Sequence, residues 1–195
     1  MTRIFKLVAP ALAVALLAGC ESDPNDTTDA QRLATDGQKV AVAKVSPSRA
    51  ASTQPSWGQA KGTVTFTAEE DGKVKVAVDL QGVPEGKHGF HIHEKGDLSA
   101  DDLTSAGGHF NPDKHPHAGP DAAKRHAGDL GNVDADSSGK VKKEMTTSGI
   151  TIGSGAANDI VGKSVILHVK ADDLKSQPTG DAGGRIAGGL IELKK

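Results

Sequence analysis

Eight histidines occur in this chain, at positions 88, 91, 93, 109, 115, 117, 126 and 168, and seven of them fall between residues 88 and 126. A single histidine is usually an ordinary surface or core residue. A cluster this dense, interleaved with acidic residues and with Cys20 as the one thiol, points to metal held by imidazole nitrogen and carboxylate oxygen. His91 and His93 are two apart in the run His88-Gly89-Phe90-His91-Ile92-His93-Glu94. On a strand they face one side, and Phe90 and Ile92 face the other. Two imidazoles on one strand face can share an ion; the competing reading is an exposed histidine pair. His109, His117 and His126 follow at intervals of 8 and 9, with Asp129 close behind. Three nitrogens and one oxygen form a set that zinc accepts in a tetrahedral site. His168 sits in a separate apolar run, Val165-Ile166-Leu167-His168-Val169, and can complete a site begun by His91 and His93.

The elements that must position these residues read as strands. Val40, Val42 and Val45 begin a β pattern, and Ser46 to Ser56, rich in Ser, Pro and Ala, reads as a loop. Thr63-Val64-Thr65-Phe66-Thr67 alternates, Glu69-Glu70-Asp71-Gly72 signals a hairpin turn, and Lys73 to Asp79 alternates again with Val74, Val76 and Val78. Residues 88–94 form a further short strand. From Leu98 to Gly131 periodicity disappears while Gly, Pro, Asp and His accumulate. A stretch of that length without structure in a compact domain needs something to hold it, and metal is the candidate. Strand patterns return at 141–145, 165–169 and 185–193. With 24 glycines, about twice average usage, and only 3 % aromatic residues, the chain is expected to be all-β with many tight turns. Strands at this spacing suggest a sandwich or barrel.

The first residues read as an export signal. Arg3 and Lys6 precede an apolar stretch, Leu7 to Leu17, too short to span a bilayer comfortably. Leu17-Ala18-Gly19-Cys20 resembles a bacterial lipoprotein signal, in which cleavage before Cys20 leaves that residue lipid-modified. The expected organisation is a signal peptide at 1–19, a polar flexible tether at 20–38 and a single domain at 39–195. The net charge of −2, from 23 basic and 25 acidic residues, speaks against nucleic-acid binding. A serine-hydrolase elbow of the form Gly-x-Ser-x-Gly is absent.

His91-Ile92-His93-Glu94 after Gly89-Phe90, then Gly108-His109-Phe110-Asn111-Pro112, then Gly128-Asp129-Leu130-Gly131-Asn132, then Pro178-Thr179-Gly180-Asp181-Ala182-Gly183-Gly184-Arg185, occur in this order. Together they resemble the copper/zinc superoxide dismutase family from about Lys39 to Leu193, in the manner of a bacterial, lipoprotein-type member. The resemblance implies a Greek-key antiparallel β-barrel with long metal-binding and electrostatic loops. It implies disproportionation of superoxide to dioxygen and hydrogen peroxide, with copper and zinc as cofactors, in the service of the cell envelope. By the same resemblance, His91, His93, His109 and His168 hold copper. His109 also bridges to zinc, which His117, His126 and Asp129 hold. Asp172 links a copper histidine to a zinc histidine, and Arg185 attracts and orients superoxide. His88 resembles a structural residue. His115 competes with His117, and His-Ala-Gly-Pro at 117–120 favours His117. Lys170 and Lys175 are either steering charges or ordinary solvated lysines.

The chain departs from the family where an intrachain disulfide is usual, since the matching positions are Leu103 and Gly188. The loop is then expected to lean on metal for its order, unless Leu103 packs as a substitute. Lys95 and Glu192 put charge where the eukaryotic dimer is apolar or Gly, so a monomer or a dimer through another face is expected. A metal-buffering protein without turnover could use the same ligands; Arg185 in its Gly-rich motif argues for the enzyme.

Overall fold

Alternating side chains resolve into eight strands: β1 (Val40–Pro47), β2 (Lys61–Ala68), β3 (Val74–Gln81), β4 (Gly86–His93), β5 (Asp129–Ala135), β6 (Val141–Thr147), β7 (Ser164–His168) and β8 (Arg185–Leu193). This computed structural model describes residues 37–195. The expected signal segment, Cys20 and all but the last residues of the expected tether lie outside the described residues. Every pairing is antiparallel, and the sheet order is β5-β4-β7-β8-β1-β2-β3-β6. The β3–β4 and β6–β7 connections cross between the two halves, which makes the nearly closed barrel a Greek key. Among the described residues no helix is long and apolar enough to cross a membrane.

The barrel interior is aliphatic, as a chain short of aromatics requires. Ala41, Ala43 and Val45 line β1, Val64 and Phe66 line β2, and Val74, Val76, Val78 and Leu80 line β3. The inward face of β1 is the alanine face; Val40 and Val42 are half-buried on the other side. β4 is buried on both faces from His88 onward. Phe90 and Ile92 enter the core, while His91 and His93 lie on the outer face beneath two long loops, residues 94–128 and 169–184. Backbone hydrogen bonds pin these loops down: Phe110 N to Ile92 O at 2.8 Å, Ile92 N to Gly128 O at 2.9 Å, and Gly89 N to Lys170 O at 2.7 Å.

Two elements differ from the expected pattern. Strand β5 begins inside the stretch read as aperiodic. Gly131 has φ 78° and the β4–β5 register shifts between Gly89 and His91. That irregularity breaks the two-residue alternation by which a strand is recognised. The 46–56 stretch read as a loop continues β1 to Pro47, then forms one helical turn, α1 (Arg49–Ser52), and a 3-10 turn, Pro55–Trp57. Ser48 caps α1 by accepting from Ala51 N at 3.0 Å.

Candidate metal centre

The long loops and strands β4, β5 and β7 bring together two sets of donors. His91, His93, His109 and His168 form one, and His109, His117, His126 and Asp129 the other; within each set one donor atom per residue lies within 4.8 Å of all the rest. His109 is common to both. Strand β4 contributes His91 and His93, β7 ends on His168, β5 begins on Asp129, and the 94–128 loop contributes the remainder. All seven side chains are buried, His91, His93 and Asp129 completely. His91 and His93 are therefore not an exposed pair.

Hydrogen bonds to the far side of each ring decide which nitrogen is free. His93 Nδ1 donates to Gly107 O at 3.0 Å, and His168 Nδ1 donates to Gly183 O at 3.2 Å. Their Nε2 atoms then face each other at 3.3 Å. His91 Nε2 donates to Asp172 Oδ2 at 2.8 Å, leaving His91 Nδ1 without a partner. Around the second set, Asp129 Oδ1 lies 2.8 Å from His109 Nδ1, 3.0 Å from His117 Nδ1 and 3.2 Å from His126 Nδ1. Four donors at zinc's ligand distance in a tetrahedron are separated by about 3.3 Å. His109 Nε2 points the other way, into the first set, and has no hydrogen-bond partner. Unpaired buried nitrogens cost folding free energy in an apolar interior, and a cation among them supplies the missing partner. The donor sets fit copper and zinc: imidazole nitrogen suits both ions, and the three-nitrogen, one-carboxylate set suits tetrahedral zinc.

Protonation states fit as well. Burial pushes His91, His93 and His168 down and brings His109 to about 4, so the first set is neutral. Burial would depress His117 too, but the Asp129 and Asp172 carboxylates outweigh it and hold His117 at about 9. Burial would raise Asp129; hydrogen bonds from His109, His117 and His126 prevail and keep it far below the usual carboxylate range.

Asp172 ties the two sets together. Its Oδ2 accepts from His91 Nε2, and its Oδ1 accepts from His117 Nε2 at 3.0 Å. Asn132, whose part in the Gly128–Asn132 motif has no assigned role in the sequence reading, holds Asp172 in turn. Asn132 Oδ1 accepts from Asp172 N at 2.7 Å, and Asn132 Nδ2 donates to Asp172 O at 2.9 Å. Gln177 clamps His117 in the same manner, accepting from its N and donating to its O, both at 2.8 Å. Nothing in the sequence around Gln177 signals this. His117 lies in the second set. His115 does not: it is half-buried, its Nδ1 is 3.3 Å from Arg125 O, and Asn111 holds its backbone. His88 stays outside both sets, with its ring nitrogens 2.8 Å from Pro84 O and His168 O. Arg185, half-buried beside the first set, donates from Nη1 to Leu103 O at 2.6 Å and from Nη2 to Gly107 O at 2.7 Å. Lys170 and Lys175 are exposed.

A Greek-key barrel that carries two buried donor sets joined through one imidazole defines a dinuclear metalloprotein of the β-barrel class. Comparison with known proteins specifies the family. A family model described as copper/zinc superoxide dismutase (SODC) matches residues 60–191, and the chain belongs to the copper/zinc superoxide dismutase family. It is 50% identical over 143 residues to an extracellular superoxide dismutase [Cu-Zn] of Drosophila melanogaster, covering 70% of this chain and 77% of that one. It is 47% identical over 145 residues to a superoxide dismutase [Cu-Zn] of Paramecium bursaria Chlorella virus 1, covering 71% and 75%. Among solved structures, the crystal structure of the clock protein EA4 superposes with a TM-score of 0.68 at 38% identity, covering 80% of this chain and 94% of that one.

Proposed function

We propose that the protein disproportionates superoxide to dioxygen and hydrogen peroxide, with copper held by His91, His93, His109 and His168 and zinc by His109, His117, His126 and Asp129. The observation that carries this reading is His109, whose two ring nitrogens face different donor sets. Copper supplies one-electron redox chemistry when bound, and zinc supplies positive charge without redox chemistry. Arg185 binds the anion and orients it, since its guanidinium stays charged at neutral pH. His109 Nε2 is the ring atom able to hold a proton and deliver it to peroxide. Asp172 fixes the rings of His91 and His117 by accepting from both. The test is superoxide removal after loading with copper, with zinc and with both. Activity is expected only when copper is present. No removal by the fully loaded protein overturns the proposal and leaves metal storage as the use of the two sets.

Two further results are expected of the centre. Asp172→Asn keeps the side chain's shape but cannot accept from both imidazoles, so zinc and copper affinities fall about 10- to 100-fold; competition against chelators of known strength reads this directly. Zinc uptake near pH 7.5 releases a proton, because His117, at about 9, is protonated there and must surrender Nδ1 to the ion. Calorimetric titration in two buffers of different ionisation enthalpy measures the release. Identical heats in the two buffers contradict it.

The same reading extends to placement in the cell. A cleaved signal ending at Gly19, a lipid on Cys20 and a tether to residue 38 would hold the domain at the cell envelope as a defence against superoxide. The extracellular Drosophila relative is consistent with export. The charges on Lys95 and Glu192, where the eukaryotic dimer of the family is apolar or Gly, favour a monomer or a dimer through another face. Lipid labelling that persists in Cys20→Ser rejects the anchor.

A further inference from the structure

Arg185 is held by carbonyls of the 98–107 segment, and that segment has no covalent tie to the barrel. Leu103 and Gly188 stand where relatives are expected to carry a disulfide, and Cys20 is the only cysteine in the chain. Leu103 partly replaces the bridge by packing. It is 6% exposed and clusters with Ala106, Ile166 and Leu98, and its Cδ1 lies 3.1 Å from where a Cβ on Gly188 would sit. Within the segment Leu103 N, Ala106 N and Gly107 N find their own carbonyl partners, and Asp101 O is paired from outside, by the connection between β1 and β2.

Ser48 N donates to Ile186 O at 2.8 Å, which grips β8 one residue after Arg185. Ala50 N donates to Asp101 O at 2.9 Å, which grips the 98–107 segment two residues before Leu103. Trp57 lies against Gly184, one residue before Arg185, so closely that a Cβ there would come within 2.6 Å of the indole ring. Arg185 Nη1 closes the circuit on Leu103 O. The turn that makes both backbone contacts is itself firmly seated: Ser48 and Ala51 are each 1% exposed, and the Ser48 cap orders α1. The Arg49–Asp101 ion pair on its surface is mostly solvent-exposed and adds little.

We propose that residues 48–57 form a non-covalent brace that positions Arg185, doing by hydrogen bonds and packing what a disulfide between positions 103 and 188 would do by covalent bond. Ala50 and Trp57 are its positioning residues. The inference rests on the reading of Arg185 as the anion-binding group given above. One end of the brace fixes the backbone on either side of Arg185, and the other fixes the segment whose carbonyls receive its guanidinium. Loosening either end lets the guanidinium drift without removing any metal-binding group, and misplacement of that kind costs rate out of proportion to its size.

The test uses the copper- and zinc-loaded protein with azide as the anion probe, read by the copper absorption band, and amide hydrogen exchange as a second readout. Two variants reach the brace by different routes. Ala50→Pro deletes the N–H that Asp101 O accepts, at the second position of α1, whose N–H no intrahelical bond uses. Trp57→Ala removes the ring from Gly184, and Trp57→Phe restores part of it. Both Ala50→Pro and Trp57→Ala are expected to bind azide about three- to tenfold more weakly, with parental metal content and an unchanged copper band before azide is added. Trp57→Phe recovers most of the loss. Amides of residues 98–107 exchange faster in Ala50→Pro, with or without metal. Combined with Arg185→Ala, neither variant weakens azide binding further, since coupled sites are not additive. Parental azide affinity and parental exchange in both variants, alongside an impaired Arg185→Ala, overturn the brace and leave the proposed function intact. Parental azide affinity in Arg185→Ala overturns the role of Arg185 itself, and the brace with it.

Discussion

Arg185→Ala is expected to slow superoxide removal about ten- to a hundredfold at unchanged copper and zinc content. The guanidinium sits beside the first donor set and shares Gly107 O as an acceptor with His93 Nδ1. Burial lowers its pKa from the ordinary value, with Asp102 acting in the opposite direction, and the group stays cationic at neutral pH. Two unit charges about 4 Å apart interact by about 4 kcal/mol at the dielectric typical near a protein surface. Each factor of ten in rate is about 1.4 kcal/mol. Competing hydration of the anion consumes part of the attraction, which leaves one to two factors of ten. Arg185→Lys keeps the charge but cannot donate to two carbonyls in a fixed fork, so it recovers only part of the rate. The parental rate falls as salt rises, and the Ala variant's rate falls less steeply. Stopped-flow superoxide decay over a salt series measures both, and an Ala variant within twofold of the parent rejects the assignment.

Stripping both metals is expected to lower the melting temperature by roughly 10 °C or more. A ligand bound only by the native state at a thousand times its Kd contributes about 4 kcal/mol, and each kcal/mol moves the midpoint of a domain of this size by about 2–4 °C. The centre is where this protein needs the contribution. The 94–128 loop contains only one short 3-10 turn, Thr104–Ala106, and no disulfide closes it. Buried His91 Nδ1 and His109 Nε2 have no hydrogen-bond partner. The metal-free protein keeps one substitute, a proton on His117 between the carboxylates of Asp129 and Asp172. Its folded pKa, about 9, lies above the ordinary 6.5. The stabilisation is therefore complete below about pH 6.5 and is lost as pH rises through about 9. The gap between loaded and stripped protein should widen from pH 7 to 9.5. Scanning calorimetry of the two forms at both pH values tests this, and coincident melting of the two forms contradicts it.

Much of this protein is legible from residue order, because its strands are amphipathic and its donors clustered. The alternation at Val74, Val76 and Val78 follows from one face meeting a core, and it marks β3 without any tertiary knowledge. The two-residue spacing of His91 and His93 puts both on one side of β4 whatever surrounds them. β5 escapes the same reasoning, since Gly131 at φ 78° and the shifted register remove the alternation. Asn132 and Gln177 escape it for another reason: each acts on the backbone of a residue at least 40 positions away. A polar side chain carries no local mark of a distant partner.

By itself, then, the sequence determined the eight-histidine inventory, the strand faces that present His91, His93 and His168, and the absence of any cysteine pair. These are properties of composition and of a repeat only two residues long. The family resemblance implied His117 over His115 and Asp172 between the two sets; only the tertiary structure decided that Asn132 holds Asp172, that Gln177 clamps His117, and that residues 48–57 reach both Ile186 and Asp101. Loop residues have no periodicity to fix their direction. Their positions follow from which backbone groups remain to be satisfied once the barrel has formed.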